Sequence, residues 1–246
     1  MRVAVVGASS GLGRCIAVGL GRRGADVALL ARRRERLETA AAEIGSRATI
    51  CECDVTNEAS CQSAIASVAA EMGGIDALVY CPGIGPLKRL VDVDAVTWAH
   101  VFSTNVTGAA LITAAAVKHL EASNGAAAYL SSVSASMTPP WPGLGSYAVS
   151  KAALDKLVEA WRAEHPRVNF TRLVVGDCAG GDGDARTEFA AGWDLQLAGE
   201  VFQIWRARGY VAGALLDVGD LVDTVHSVLR TRASVPSITV APRRPE

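Results

Sequence analysis

The sequence predicts a doubly wound α/β fold, a parallel sheet with helices on both faces, and three observations carry that prediction. Short, almost continuous apolar runs alternate with longer segments of helical period. The first apolar run ends in a glycine-rich turn that opens a helix. No internal repeat and no shift in composition marks a linker, so residues 1–246 are expected to form one domain. Unbroken apolar runs are what strands covered on both faces require, and regular strand–helix alternation is what parallel crossovers produce.

In chain order, Val3-Ala4-Val5-Val6 reads as the first strand, and a helix over 12–23 follows the glycine turn. Residues 26–31 (Asp-Val-Ala-Leu-Leu-Ala) form the second strand, with a helix over 33–44. A third strand over 48–53 leads to a helix over 58–72, and a fourth over 76–80 leads to a long helix over 94–120. The alanine-rich run 126–130 is the fifth strand, before a helix over 147–164. Residues 169–175 and 237–240 supply the last two strands, with a helix over 221–230 between them. Residues 176–213 break the rhythm. They open with glycines and aspartates and then carry Phe189, Trp193, Phe202, Trp205 and Tyr210. An irregular insertion at the C-terminal end of a sheet strand suits a substrate loop or lid, and its aromatics equally suit packing onto the domain or onto a second subunit.

Half of the residues are hydrophobic and a fifth are charged, an ordinary globular composition. The 24 basic and 25 acidic residues give a net charge of −1, so there is no field to attract nucleic acid or an anionic membrane. The first apolar run is too short for a signal-peptide core. The later run 109–117 is interrupted by Thr113 and followed by Lys118 and His119, short of a membrane span. A soluble cytoplasmic protein is expected. The six cysteines include no C-x-x-C pair and none has a histidine at ligand spacing, so they read as free thiols and no metal site is expected.

The turn reads Gly7-Ala8-Ser9-Ser10-Gly11-Leu12-Gly13-Arg14. Glycines allow a tight turn and close approach to a pyrophosphate, and the helix start offers unpaired N–H groups and a favourable dipole. The spacing is G-x-x-x-G-x-G. The second strand ends in Ala31-Arg32-Arg33-Arg34, where a nucleotide fold faces the adenosine ribose. An acidic residue there would accept a 2′-hydroxyl, whereas arginine pairs with a 2′-phosphate. Asp26 opens the strand and so lies at the wrong end. NADP(H) is therefore preferred over NAD(H), with Arg32 as the leading phosphate ligand and Arg33 second.

Tyr147 and Lys151 are one helical turn apart on one face. A free tyrosine titrates near pH ~10, and a neighbouring ammonium is expected to lower that value so that the phenol exchanges a proton near neutrality. Ser132, directly after the fifth strand in Leu130-Ser131-Ser132-Val133-Ser134, can hold the same substrate oxygen; Ser134 is the competing serine.

Taken together these features resemble the short-chain dehydrogenase/reductase family along nearly the whole chain. The resemblance implies a single Rossmann-type domain with a seven-stranded parallel sheet in the order 3-2-1-4-5-6-7. It assigns Gly7, Gly11 and Gly13, with Ser9, Ser10 and Leu12 between them, to cofactor binding. Asp54 and Val55 match the pair that contacts adenine. Asn105, Ser132, Tyr147 and Lys151 match the catalytic tetrad, in which the asparagine main chain supports a water relay and the lysine also binds the nicotinamide ribose. It also implies a homodimer or homotetramer through the helices over 94–120 and 147–164.

The chain departs from the family pattern in four places. Tyr80-Cys81-Pro82-Gly83 stands where the family has N-N-A-G, so only Gly83 is kept for the cofactor. Val175-Gly176 replaces a proline–glycine turn; Gly176 remains a cofactor candidate, and the nearest threonine is Thr187. The interval from Ser132 to Tyr147 is long, with Met137-Thr138-Pro139-Pro140-Trp141-Pro142 holding the extra residues, and the C-terminus lacks a glycine-rich ending. The expected function is reversible reduction of a small or apolar carbonyl. The competing readings are an NADP(H)-binding sensor without catalysis and an isomerase or dehydratase on the same scaffold.

Overall fold

The apolar runs become β1 (Arg2–Val6), β2 (Asp26–Ala31), β3 (Ala48–Glu52), β4 (Ala77–Tyr80), β5 (Ala126–Ser132), β6 (Asn169–Val175) and β7 (Ser237–Val240). The computed structural model describes residues 1–211 and 213–243; Ala212 and residues 244–246 of the expected domain lie outside the described residues. Among the described residues these strands form one seven-stranded sheet in the order β3-β2-β1-β4-β5-β6-β7, every pairing parallel. The order reverses between β1 and β4, so a crevice opens above the C-terminal ends of those two strands.

Successive residues of each strand feed opposite core layers. Val3 and Val5 enter one layer, with Ile16 and Leu20 of α1 (Gly11–Arg22), Leu37 of α2 (Arg34–Ile44) and Val225 of α9 (Val218–Arg230). Ala4 and Val6 enter the other, with Ile65 of α3 (Glu58–Met72), Ile112 of α5 (Gly108–Ser123) and Leu154 of α7 (Gly145–Glu164). A third cluster joins Leu87, Trp141 and Leu144 to Val201 and Trp205 of α8 (Leu195–Ala207).

Two expectations need correction. The helix expected over 94–120 is α4 (Ala95–Phe102), a π turn (Ser103–Thr107) and α5 in one continuous run. From Ala95 to Ser123 that run is long and apolar enough to cross a bilayer, which residues 109–117 alone are not. Its face through Ala109, Ile112, Ala116 and Leu120 is buried between α3 and the sheet, the position of a core helix. The segment 176–213 is also more ordered than expected. It contains a bridge between Gly180 and Arg186, a 3₁₀ turn (Gly183–Ala185) and α8, capped by the Asp194 side chain accepting from Leu197 N. A short helix α6 (Val133–Ser136) follows β5.

Candidate active site

The floor of the crevice is built by missing atoms. Gly7 (φ +79°) and Gly11 (φ +55°) adopt backbone that L side chains avoid, and a Cβ on Gly13 would lie 2.3 Å from the Gly7 carbonyl oxygen. This lets α1 start directly against β1. Ser10 precedes α1 in extended backbone, and its hydroxyl does not cap the helix. The first-turn N–H groups therefore remain for a ligand, with the positive end of the helix dipole behind them. A cleft of about 900 Å³ runs from Asp54 and Arg32 across Gly7–Gly13 to Tyr147 and Gly176.

At one end of the cleft stand Asp54 and Val55. The Thr56 amide and hydroxyl donate to Asp54 Oδ1 at 2.9 and 2.8 Å, and these bonds, helped by the charge of Arg32, hold the carboxylate below its usual range. Arg32 lines the cleft and is exposed. Arg33 lies back over the turn and donates to Ser9 Oγ at 2.9 Å and Ser10 Oγ at 2.8 Å. Its other side meets Glu188 Oε2 at 2.6 Å, while Glu188 Oε1 pairs with Arg36 at 2.5 Å.

Tyr147 and Lys151 face the other end from α7. Lys151 is buried; its Nζ donates to the Leu130 carbonyl at 2.7 Å and sits 5.8 Å from the Tyr147 ring centre. A Cβ on Gly83 would come within 3.2 Å of that Nζ, so this glycine makes room for the amine. Burial pulls the lysine down to about 8. The expectation that the ammonium lowers Tyr147 is corrected here. Burial pushes the phenol up to about 12, and a hydrogen bond with Ser132 only partly opposes it. The cover is Phe189, whose ring packs edge-on to Tyr147 at 4.8 Å, backed by Trp193, whose Nε1 donates to the Gly85 carbonyl at 2.9 Å.

Of the two candidate serines, both of which line the cleft, Ser132 is the one whose hydroxyl acts on the Tyr147 phenol; Ser134 is buried and lies 3.0 Å from Ser132 through the hydroxyls. Asn105 is fully buried in the π turn. It accepts from Ile84 N and donates to Ile84 O, both at 2.9 Å, and donates to Ser150 Oγ at 2.8 Å. It thus ties the loop after β4 to α7. Tyr80, which departs from the family pattern, donates its hydroxyl to the Thr104 carbonyl and so anchors the π turn beside Asn105. Gly176 lines the cleft and packs against the exit of β7, where a Cβ would meet Ala241 at 2.9 Å. Among the described residues no cluster of metal-ligating side chains occurs.

A cradle that only glycine can form, a convergent Ser–Tyr–Lys group and a seven-stranded 3-2-1-4-5-6-7 sheet lie along one cleft. The family model "short chain dehydrogenase" matches residues 1–181. The chain is a member of the short-chain dehydrogenase family. A short chain dehydrogenase of Pseudocercospora fijiensis is 39% identical over 166 residues, covering 65% of this chain and 53% of the relative. This short-chain dehydrogenase spans a little over half the length of the first curated relatives it matches. In fold it is similar to an alcohol dehydrogenase from the archaeon Thermococcus sibiricus, complexed with 5-hydroxy-NADP (TM-score 0.83, 24% identity, 100% of this chain and 98% of that one). It is similar also to a 3-ketoacyl-(acyl-carrier-protein) reductase from Brucella melitensis, complexed with NADH (TM-score 0.82, 22% identity, 99% and 97%).

Sequence reasoning missed four parts of the short-chain dehydrogenase's site. Arg36 falls in the helix expected over 33–44 and Glu188 in the segment 176–213, and neither is singled out by the sequence. Phe189 and Trp193 were expected to line an apolar pocket or to serve in packing or subunit contacts, and their position over Tyr147 and Gly85 was not foreseen. Thr187, distant in sequence from the Val175-Gly176 turn, is brought against the glycine turn; a Cβ on Gly11 would lie 3.2 Å from its Cα.

Proposed function

We propose that this short-chain dehydrogenase reduces a carbonyl with NADPH, or runs the reverse alcohol oxidation. The carrying observation is the convergence of Ser132, Tyr147 and Lys151 at one end of a glycine-floored cleft whose other end holds Arg32 and Arg33, with Arg36 joined to that end through Glu188. The fold takes both cofactors, since one similar structure holds an NADP analogue and another NADH. The choice must therefore come from this chain's own residues, and β2 ends at Ala31 followed by Arg32-Arg33, with no carboxylate at that end of the strand. The cleft fits a dinucleotide: first-turn N–H groups for the pyrophosphate, Asp54 and Val55 for the adenine, and Gly83, Lys151 and Gly176 beside the nicotinamide end.

The bound nicotinamide would supply the hydride. Tyr147 is neutral near pH 7 and serves as proton donor to the carbonyl oxygen. Ser132 donates a hydrogen bond to the same oxygen as charge develops on it. Lys151 as ammonium stabilises the phenolate left on Tyr147. Asn105 holds the loop 83–85 in register with α7, and the family resemblance adds its support of a water relay to Lys151. Leu87, Val133, Trp141, Leu144 and Phe189 line the cleft beyond Tyr147, which favours an apolar substrate of small size.

The altered loops Tyr80–Gly83 and Val175–Gly176 motivate the competing reading of a sensor without catalysis. The presence of Asn105, Ser132, Tyr147 and Lys151 together favours the catalytic reading, and next to the first loop Ile84 keeps both bonds to Asn105. The six free thiols support a reducing, cytoplasmic setting. Exposed Val96 on α4 and Val149 on α7 support a homo-oligomer through these helices. Tyr147→Phe tests the assignment. NADPH oxidation over a panel of carbonyls should fall about 10²- to 10⁴-fold while NADPH binding is kept. Near-normal turnover would remove Tyr147 from the mechanism, and tight binding without turnover by the unaltered protein would favour the sensor.

A further inference from the structure

Three consecutive residues of the segment after β6 touch the three working parts of the cleft. Thr187 packs on Gly11 in the glycine turn. The Glu188 carboxylate divides its oxygens between Arg33 and Arg36. Phe189 covers Tyr147 and fills the space above Gly85, where a Cβ would lie 2.2 Å from its ring. The link is short and stiff, since Phe189 N donates to Thr187 Oγ1 at 3.2 Å.

The arginine pair is built from behind. Arg33 is fixed by Ser9 and Ser10. The Arg36 carbonyl accepts from Arg14 Nη1 at 3.0 Å, and Arg14 is itself buried and paired with Glu43. Two guanidinium groups held apart in this way suit an oxyanion that can accept from both, and carboxylate and phosphate compete for the same geometry. The flanking arginines lower the Glu188 carboxyl, so it stays charged near neutral pH.

We propose that Glu188 is a cofactor-discriminating latch: its carboxylate holds the arginine pair that a ribose 2′-phosphate requires, and a phosphate that displaces it lifts Phe189 from Tyr147. The idea rests on reading the cleft as a nicotinamide dinucleotide site. NADPH carries the displacing dianion, whereas NADH leaves the latch closed. Cofactor choice and access to the catalytic phenol are thereby coupled through one backbone step.

The test is fluorescence titration of NADPH and NADH onto the whole chain and onto Glu188→Gln, with Glu188→Ala as a second variant. Glu188 is a half-exposed side chain, and melting curves check the fold of both variants. Removing the carboxylate charge should tighten NADPH about tenfold, equivalent to about 1.4 kcal/mol, and change NADH by less than about twofold. Hydrogen exchange at residues 186–190 should be faster in the NADPH complex than in the NADH complex of the unaltered protein. An unchanged NADPH-to-NADH ratio in both variants, or equal exchange in the two complexes, overturns the latch. If the unaltered protein prefers NADH while Glu188→Gln still shifts the ratio toward NADPH, the latch holds and the NADP(H) reading falls. If it prefers NADPH and the ratio does not move, the reading holds and the latch falls. Binding of neither cofactor removes both.

Discussion

The β1–α1–β2 unit and the segment from Gly176 to α8 border the same cleft and are held by different physics. In the first, Val3, Ala4, Val5, Ile16, Leu20, Leu29 and Leu30 are fully buried, and the glycine turn is pinned by contacts no side chain can share. The second leans on the domain through ring pairs such as Trp141–Trp205 at 5.2 Å and through charged contacts such as Glu188 with Arg33, each near half-exposed. Close-packed apolar atoms have no better partner to exchange for. Rings at a cleft and carboxylates on arginines do, because a ligand can present the same chemistry. One border of the cleft is therefore a template and the other is replaceable cover.

Trp205→Ala should have the largest effect of the variants that probe this contrast. Truncating a buried tryptophan costs about 3–5 kcal/mol, and here its indole also donates to the Pro142 carbonyl. The loss should stay local. Hydrogen exchange should show α8 and its preceding turn opening while β1, β4 and β5 keep their protection. Uniform loss of protection across the sheet would mean that the segment belongs to the rigid core, and the contrast would break.

Gly13→Ala sharpens the other side. The new methyl meets the Gly7 backbone carbonyl, with no flexible side chain to yield. Overpacking of this kind costs about 1–3 kcal/mol, and the turn must shift, so dinucleotide binding should weaken at least about tenfold along with the melting temperature. Unaltered affinity in this variant would show that the turn is not a template.

The smallest effect is on pH dependence. Lys151 is cationic below its value of about 8 and neutral above it. The ammonium that stabilises the Tyr147 phenolate is therefore present on the acid side, and carbonyl reduction should decline as pH rises through 8. For stability the sign is opposite. The unfolded chain keeps the lysine proton up to its ordinary value of 10.5, so raising pH from 8 toward that value favours the folded form at this group. A pH–rate profile of the unaltered protein and of Lys151→Met checks the first point; a flat profile between pH 7 and 9 in the unaltered protein would contradict it.

The sheet was legible wherever one residue's surroundings are set by its immediate neighbours. Asp26–Ala31, Asn169–Val175 and Ser237–Val240 match expectation to the residue; in the first two an apolar run (Val27–Ala31 and Leu173–Val175) is what double cover requires, whereas the edge strand Ser237–Val240 shows itself by its alternation. The π turn at Ser103–Thr107 was not legible, since Ser-Thr-Asn-Val-Thr inside a helix carries no period of its own and its anchor, Tyr80, lies on another strand. The helix α8 was hidden behind a glycine- and aspartate-rich lead, although its own residues Val201 and Trp205 are four apart. At the site, the glycines and the Tyr147–Lys151 pair announce themselves by spacing. Glu188 does not, because its partners are 155 and 152 residues away. The direction of the Tyr147 shift was misjudged for the same reason: the lysine expected to lower it is one turn away in sequence, and the burial that raises it comes in part from Phe189, which is not.

The glycine turn has one more consequence, and it concerns handedness. Gly7 and Gly11 are required by the sign of φ, whereas Gly13 is required by volume, since its backbone is ordinary and only the space is missing. The mirror-image amino acid separates these two demands. A semisynthetic chain with D-alanine at Gly11 places its methyl on the opposite side of a backbone that D residues favour, and the turn should survive it. D-alanine at Gly13 would instead be forced into helical backbone of the wrong hand. Within seven residues the turn holds two positions that exclude an L side chain by the sign of φ and one that excludes it by size.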